Sequence, residues 1–172
     1  YATVRFDVPG VGDSLRHADR PMAQFTREIL DRLQAQTGCD HFVVGGICSA
    51  ADVSWNAALD DDRVIGVIML DGMARKGWWF LIGRFRRALR TSPSTLLTQV
   101  WRRLVPREPA AATTGNLRDW PRPGQERSQL PQLIARGTRF FMLFTGGASY
   151  FLHPRQFRET YGTAASSPTI DF

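Results

Sequence analysis

The chain has 172 residues, 43% of them hydrophobic and 22% charged, which is enough for one domain with a core and excludes both wholesale disorder and two full-sized domains. Its two cysteines, Cys39 and Cys48, exclude a disulfide framework and a four-cysteine zinc site and favour a reducing compartment. The net charge of +6 is unevenly spread: residues 1–72 carry 6 Lys/Arg against 11 Asp/Glu and residues 73–172 carry 16 against 5, so the chain changes character at Gly72.

In chain order, Ala2–Val8 is rich in β-branched and aromatic residues and ends at Pro9-Gly10, which predicts a strand and a turn. Gly10, Gly12 and Asp13-Ser14 predict a tight polar loop. Met22, Phe25, Ile29 and Leu33 recur at helical spacing, so residues 21–37 are expected to be an amphipathic helix. Pro21 stands in its first turn and Gly38 just past its end. His41-Phe-Val-Val-Gly45 predicts a short apolar strand, and residues 49–59 a helix that leaves through Asp60-Asp61-Asp62. Val64–Leu70 is apolar without alternation, the pattern of a parallel strand buried on both faces. Strand, helix, strand, helix, strand in this order implies crossovers and a parallel sheet.

After Gly72 the pattern breaks. Residues 73–107 predict one or two helices rich in Arg and Trp, and residues 108–128 a loop. Gln129–Arg136 predicts a short helix, Arg139–Thr145 a strand ending at Gly146-Gly147, Pro154–Tyr161 a helix and Pro168–Phe172 the start of another strand. The chain therefore divides into a core of residues 1–72, a basic aromatic insertion over 73–128 and a return to the core over 129–172. No run of about eighteen apolar residues exists, so no transmembrane helix is expected. The chain opens at Tyr1 without a basic-then-apolar leader and stops at Phe172 inside an expected strand, so it reads as an internal piece of a longer protein.

The segment that carries chemistry is Val44-Gly45-Gly46-Ile47-Cys48-Ser49-Ala50-Ala51. It joins an apolar strand to a helix through a very tight turn. A small residue two before and two after a nucleophile lets the backbone bend sharply there, and Gly46 and Ala50 hold those positions around Cys48. A side chain at such an apex points out of the sheet at a helix N-terminus, where the dipole favours a thiolate. The N–H of Ser49 is then an oxyanion donor. Ser49 is the rival nucleophile, but its flanking residue Ile47 fits the tight turn poorly. The bland alternative is that Cys48 is a small buried residue at a strand end.

On these residues the chain resembles the α/β-hydrolase superfamily over most of its length. Val4–Ser14 resembles that family's strand and loop before the elbow helix, and Gly46-Ile-Cys-Ser-Ala50 resembles its elbow in the cysteine-bearing form of dienelactone-hydrolase-like members. Gly-x-Cys-Ser-small-Ala-Asp followed by Arg63–Asp71 is closer still to hydrolase-like proteins associated with exosortase and polysaccharide export. The resemblance implies a partial α/β-hydrolase fold, with the 73–128 insertion where the family carries a helical lid. Ala50 departs from the usual glycine. Ala148 and Ser149 stand where the acid usually follows the 139–145 strand, so Asp71 becomes the candidate acid, its alternative being a solvated loop carboxylate. The family's catalytic His follows the last strand and would lie beyond Phe172, and the second oxyanion donor before Tyr1.

His17, His41 and His153 are expected to be structural or exposed, and none has metal-ligand spacing with either cysteine. No dinucleotide fingerprint and no P-loop is present, and no metal or other cofactor is expected. Residues 75–107 hold nine basic residues and no acid. Trp78, Leu81 or Ile82, Phe85 and Leu89 share one helical face, with Trp79 beside it and Arg84, Arg87 and Arg90 largely elsewhere. That suits either a lid whose aromatic face covers the cleft or a helix lying on an anionic membrane surface. Nucleic acid is not expected as a partner. The reading is a cytoplasmic protein, peripheral to the membrane if the second option holds. It would be an acyl hydrolase or acyltransferase acting through Cys48, with Asp71, on a small-molecule acyl or lipid-linked ester or thioester. The alternative is an inactive hydrolase fold with a membrane-surface or assembly role.

Overall fold

The computed structural model describes residues 2–7, 9, 13–14, 22–72, 74–90, 122–146 and 151–172. The elements are α1 (Met22–Thr37), β1 (Phe42–Ile47), α2 (Ser49–Asp60), β2 (Val64–Leu70), α3 (Trp78–Arg90), α4 (Glu126–Ala135), β3 (Arg139–Leu143), α5 (Arg155–Tyr161), a 3-10 turn (Gly162–Ser166) and β4 (Ile170–Asp171). The strands form one parallel sheet in the order β1-β2-β3-β4, and helices flank it. The protein is of the α/β class.

Local chemistry sets the element ends. The helix predicted over 21–37 spans Met22–Thr37 and closes where Gly38, at φ +72°, donates its N–H to Gln34 O at 2.8 Å, a left-handed turn suited to glycine. The helix predicted at 129–136 starts three residues earlier, at Glu126. Its first turn is organised by the Glu126 carboxylate, which accepts from Gly124 N at 2.8 Å, a placement the helix dipole favours. Pro131 lies inside it.

The core lies between the sheet and α2, α4 and α5. Trp55 of α2 is fully buried and meets Phe140 of β3 and Tyr161 of α5 at ring-centroid distances of 5.7 and 5.8 Å. Its indole N–H donates to Gln129 Oε1 of α4 at 3.0 Å, so the buried ring keeps its polar atom satisfied. Val67, Met69, Phe140, Met142, Leu130 and Leu133 fill the same layer. Burial holds the Tyr161 phenol well above its usual pKa, and the nearby Glu126 and Asp52 push it the same way.

Two expectations are corrected. Residues 2–7 form no strand, and Val4 and Phe6 are exposed; β-propensity needs a partner strand, and β1 and β4 are the edges of the described sheet. The run Val64–Leu70 is a parallel strand, but one face of the sheet is open: Val43, Ile47, Ile68, Phe141 and Leu143 are exposed in adjoining register. An apolar run gives the capacity for burial on both faces and not the presence of a covering layer. The loop glycines Gly10 and Gly12, His17, residues 91–121 and the turn residues Gly147, Ala148 and Ser149 lie outside the described residues.

Candidate functional site at the carboxyl edge of the sheet

Cys48 is the single residue between β1 and α2, and it stands at φ +54°, ψ −113°. Few non-glycine residues enter this region, which costs on the order of 1–3 kcal/mol. The turn is held from both sides. Cys48 N–H donates to Leu70 O of β2 at 2.9 Å, and Cys48 C=O accepts from Ala51 N–H at 3.1 Å. Gly46 is required by the same bend: a Cβ there would sit 2.5 Å from the carbonyl carbon of Ala50 and 2.6 Å from its oxygen. The small pair Gly46 and Ala50 thus lets strand and helix approach closely. Cys48 is exposed, which removes the reading of a buried strand-end residue. Ser49 and Ala50 are half-buried and open α2. Their N–H groups are among the four a helix start leaves without an intrahelical acceptor.

Asp71 stands at the end of the neighbouring strand, one residue past the Leu70 carbonyl that holds Cys48. It also has positive φ, +49°, and its N–H donates to Leu143 O at 2.8 Å. Its carboxylate is not simply solvated. It accepts from Thr145 N–H at 2.9 Å and from Thr145 Oγ1–H at 2.7 Å, tying the end of β2 to the end of β3.

The histidines separate. His41 precedes β1 at the end of the strand remote from Cys48 and meets the Asp40 carboxylate at 2.6 Å on the surface, which holds that carboxyl below its usual value. His153 precedes α5, where its ring stacks on Trp79 at 4.7 Å and its Nδ1 accepts from Arg155 N–H at 3.2 Å. Burial, then Arg86 and Arg155, hold its pKa below the usual value.

The first basic helix is anchored by its end and one face. The Glu159 carboxylate of α5 accepts from Trp78 N–H at 2.7 Å and Trp79 N–H at 3.3 Å at the N-terminus of α3. Phe80 and Gly83 are buried, and Gly83 faces Leu152 so closely that a Cβ would lie 2.6 Å from the Leu152 Cβ. Trp79 is half-buried beneath the Arg155 guanidinium, 4.6 Å from its ring centroid. Trp78, Leu81, Phe85 and Leu89 are all exposed, and so are Arg84, Arg86, Arg87 and Arg90. A cleft of about 470 Å³ between this helix and the Phe151–Pro154 segment is lined by Arg86, Arg87, Arg90 and His153 and reaches Gly146, next to Thr145. Sequence reasoning missed the Glu159 cap, the Thr145 tie and the arginine-lined cleft. Gly83, a glycine amid large helical residues, was the one local signal of close approach.

Among the described residues no group of three or more His, Cys, Asp or Glu is placed to hold a metal, and no helix is long and apolar enough to cross a membrane. No family model, no curated protein and no solved structure matches the chain.

Proposed function

We propose that this protein is an α/β-hydrolase-like enzyme, a hydrolase or acyltransferase that acts on an ester or thioester through Cys48. The observation that carries the reading is the backbone at Cys48: an exposed thiol on a positive-φ turn, between a parallel strand and a helix start, made feasible by Gly46 and Ala50. Strain of this kind persists where the surroundings over-determine it and is concentrated at reactive sites. The sequential parallel order of the strands agrees with the resemblance, and residues 73–128 take the part of a lid in this reading.

The chemistry follows from the geometry. The Cys48 thiolate attacks the acyl carbon, and the oxyanion is met by the Ser49 N–H at the start of α2. The C–O or C–S bond then breaks, and the leaving alcohol or thiol takes up the proton that the Cys48 thiol gave to a base. Water, or an acceptor hydroxyl, attacks the acyl-cysteine and restores the thiol. Asp71 orients the base, its carboxylate fixed in place by Thr145. The site belongs in the cytoplasm under this reading, where Cys48 stays reduced.

The test is turnover of short-chain p-nitrophenyl esters and acyl thioesters by wild type, Cys48→Ala and Asp71→Asn, with mass spectrometry of the denatured protein. An acyl adduct on Cys48 and a drop in kcat/KM of about a thousandfold or more in Cys48→Ala are expected. Equal turnover by Cys48→Ala would overturn the assignment. A second reading, a hydrolase-type fold serving at a membrane surface without turnover, is favoured by one observation: Trp78, Leu81, Phe85 and Leu89 of α3 are exposed.

A further inference from the structure

The thirteen residues of α3 form a helix about 20 Å long, and they present two faces with opposite fates. Phe80 and Gly83 turn inward, against α5 and the segment before it. Trp78, Leu81, Phe85 and Leu89 recur at i, i+3, i+7 and i+11 on the other side, and are 67%, 52%, 65% and 71% exposed. Single exposed apolar residues need no explanation, but four large ones in a row on one helix face mark a contact surface. The occupant is indicated by charge. Residues 75–90 carry Arg75, Lys76, Arg84, Arg86, Arg87 and Arg90 and no acid, and the acid that meets the helix, Glu159, is engaged at its N-terminus. Arg86 and Arg90 are exposed and line the cleft with His153 and Gly146.

We propose that α3 seats this protein on an anionic lipid bilayer, with Trp78, Leu81, Phe85 and Leu89 entering the acyl-chain boundary and Arg86 and Arg90 meeting lipid phosphates beside them. An interfacial helix has this composition: an aromatic and aliphatic face and a strongly basic remainder. Arginine suits the phosphate partner because its planar fork donates two hydrogen bonds at once. Membrane and protein surface are complementary in both respects, which a neutral apolar partner would not be. The docked orientation also has a consequence for chemistry. The cleft reaches Gly146, adjacent to the Thr145 that holds Asp71, so seating α3 turns this side of the carboxyl edge toward the headgroups. The seating itself does not depend on Cys48 being a nucleophile.

Flotation with phosphatidylcholine vesicles and with vesicles containing phosphatidylglycerol tests it, at low and high salt, on the whole chain. Binding is expected to be at least tenfold tighter to the anionic vesicles and to weaken with salt. Trp78→Ala/Phe85→Ala/Leu89→Ala should lose most of that binding, while Arg86→Gln/Arg90→Gln should weaken it by about fivefold per arginine. All five positions are exposed, and circular-dichroism melts confirm that each variant folds. Brominated lipids should quench wild-type fluorescence and spare that of Trp78→Phe by comparison. Equal binding to neutral and anionic vesicles, or wild-type binding by the triple apolar variant, would overturn the proposal. So would a stable lipid-free dimer that the triple variant dissolves, because the row would then belong to a second copy.

Discussion

Gly46 and Ala50 touch so closely across the β1–α2 turn that a methyl group added to Gly46 would lie 2.5 Å from the Ala50 carbonyl carbon. The obstacle is helix backbone, which cannot rotate aside. Gly46→Ala should therefore destabilise the chain by about 3 kcal/mol, at the upper end of ordinary overpacking. Ala50→Gly relieves nothing and costs about 0.5–1 kcal/mol of helix propensity. Urea unfolding of the two variants separates them. Equal effects would show that the turn is looser than described.

Cys48 carries the strain of that turn at φ +54°. Glycine accepts this conformation freely, so Cys48→Gly should match or exceed wild-type stability, by about 1 kcal/mol, while abolishing acyl-adduct formation. A β-branched residue is least tolerant of positive φ, so Cys48→Val should lose stability. Thermal melts of the two variants decide the point: a Cys48→Gly variant less stable than Cys48→Val would exclude strain at this residue.

Asp71 and Thr145 are 74 positions apart and hold two strand ends together. Removing the acceptor in Asp71→Ala should cost about 1–2 kcal/mol, and Thr145→Val should remove part of the same quantity. A double-mutant cycle by urea unfolding should show coupling between them. Strict additivity would mean that each acts through other neighbours.

Arg63 ties the turn after α2 to α1, donating to Asp61 at 2.6 and 2.9 Å, to Asp31 at 2.7 Å and to Gln34 at 2.5 Å. Its hydrogen bonds hold the Asp61 carboxyl below its usual value, against the opposing effect of burial. An unfolded chain binds that proton more readily than the folded one. This stabilisation is therefore complete above the ordinary Asp pKa of about 3.9 and is lost as pH falls through the lower folded value. Arg63→Met should cost about 2 kcal/mol at neutral pH and flatten the loss of stability on acidification. Melting temperatures from pH 7 to pH 2 measure both effects, and an acid limb as steep as that of wild type would contradict the assignment.

Burial holds the His153 pKa below its usual value, with Arg86 and Arg155 acting in the same direction. Below the ordinary His pKa of about 6.5 the unfolded chain takes up the proton first, so folded stability declines there as pH falls. Replacing Arg86 by Met removes one like charge and should raise the His153 pKa, read from its ring-proton chemical shift. An unchanged titration would leave burial and Arg155 as the causes.

Periodicity made α1, α2 and the three longer strands legible, because the spacing of Met22, Phe25, Ile29 and Leu33 and the run Val64–Leu70 are local patterns. The bend at Cys48 was legible for the same reason: Gly46 and Ala50 are four residues apart. The Thr145 tie to Asp71 was not, since nothing local pairs residues so distant in sequence. The strand expected at 2–8 failed because propensity cannot report a missing neighbour. For α3 the spacing revealed a stripe but not its direction, which depends on where Gly83 meets Leu152.

Glu159 grips α3 by its first two N–H groups, and the close approach of Gly83 to Leu152 comes only five residues further on. Arg84–Arg90 therefore project beyond their last buried support. The described part of the helix is rooted at its N-terminal end, in α5. A load applied along Arg84–Arg90 is passed to that root and bears on the Glu159 carboxylate. Two residues further along the same helix, Tyr161 packs against Trp55 and Phe157, so the moment delivered at the surface is resisted by the aromatic centre of the protein.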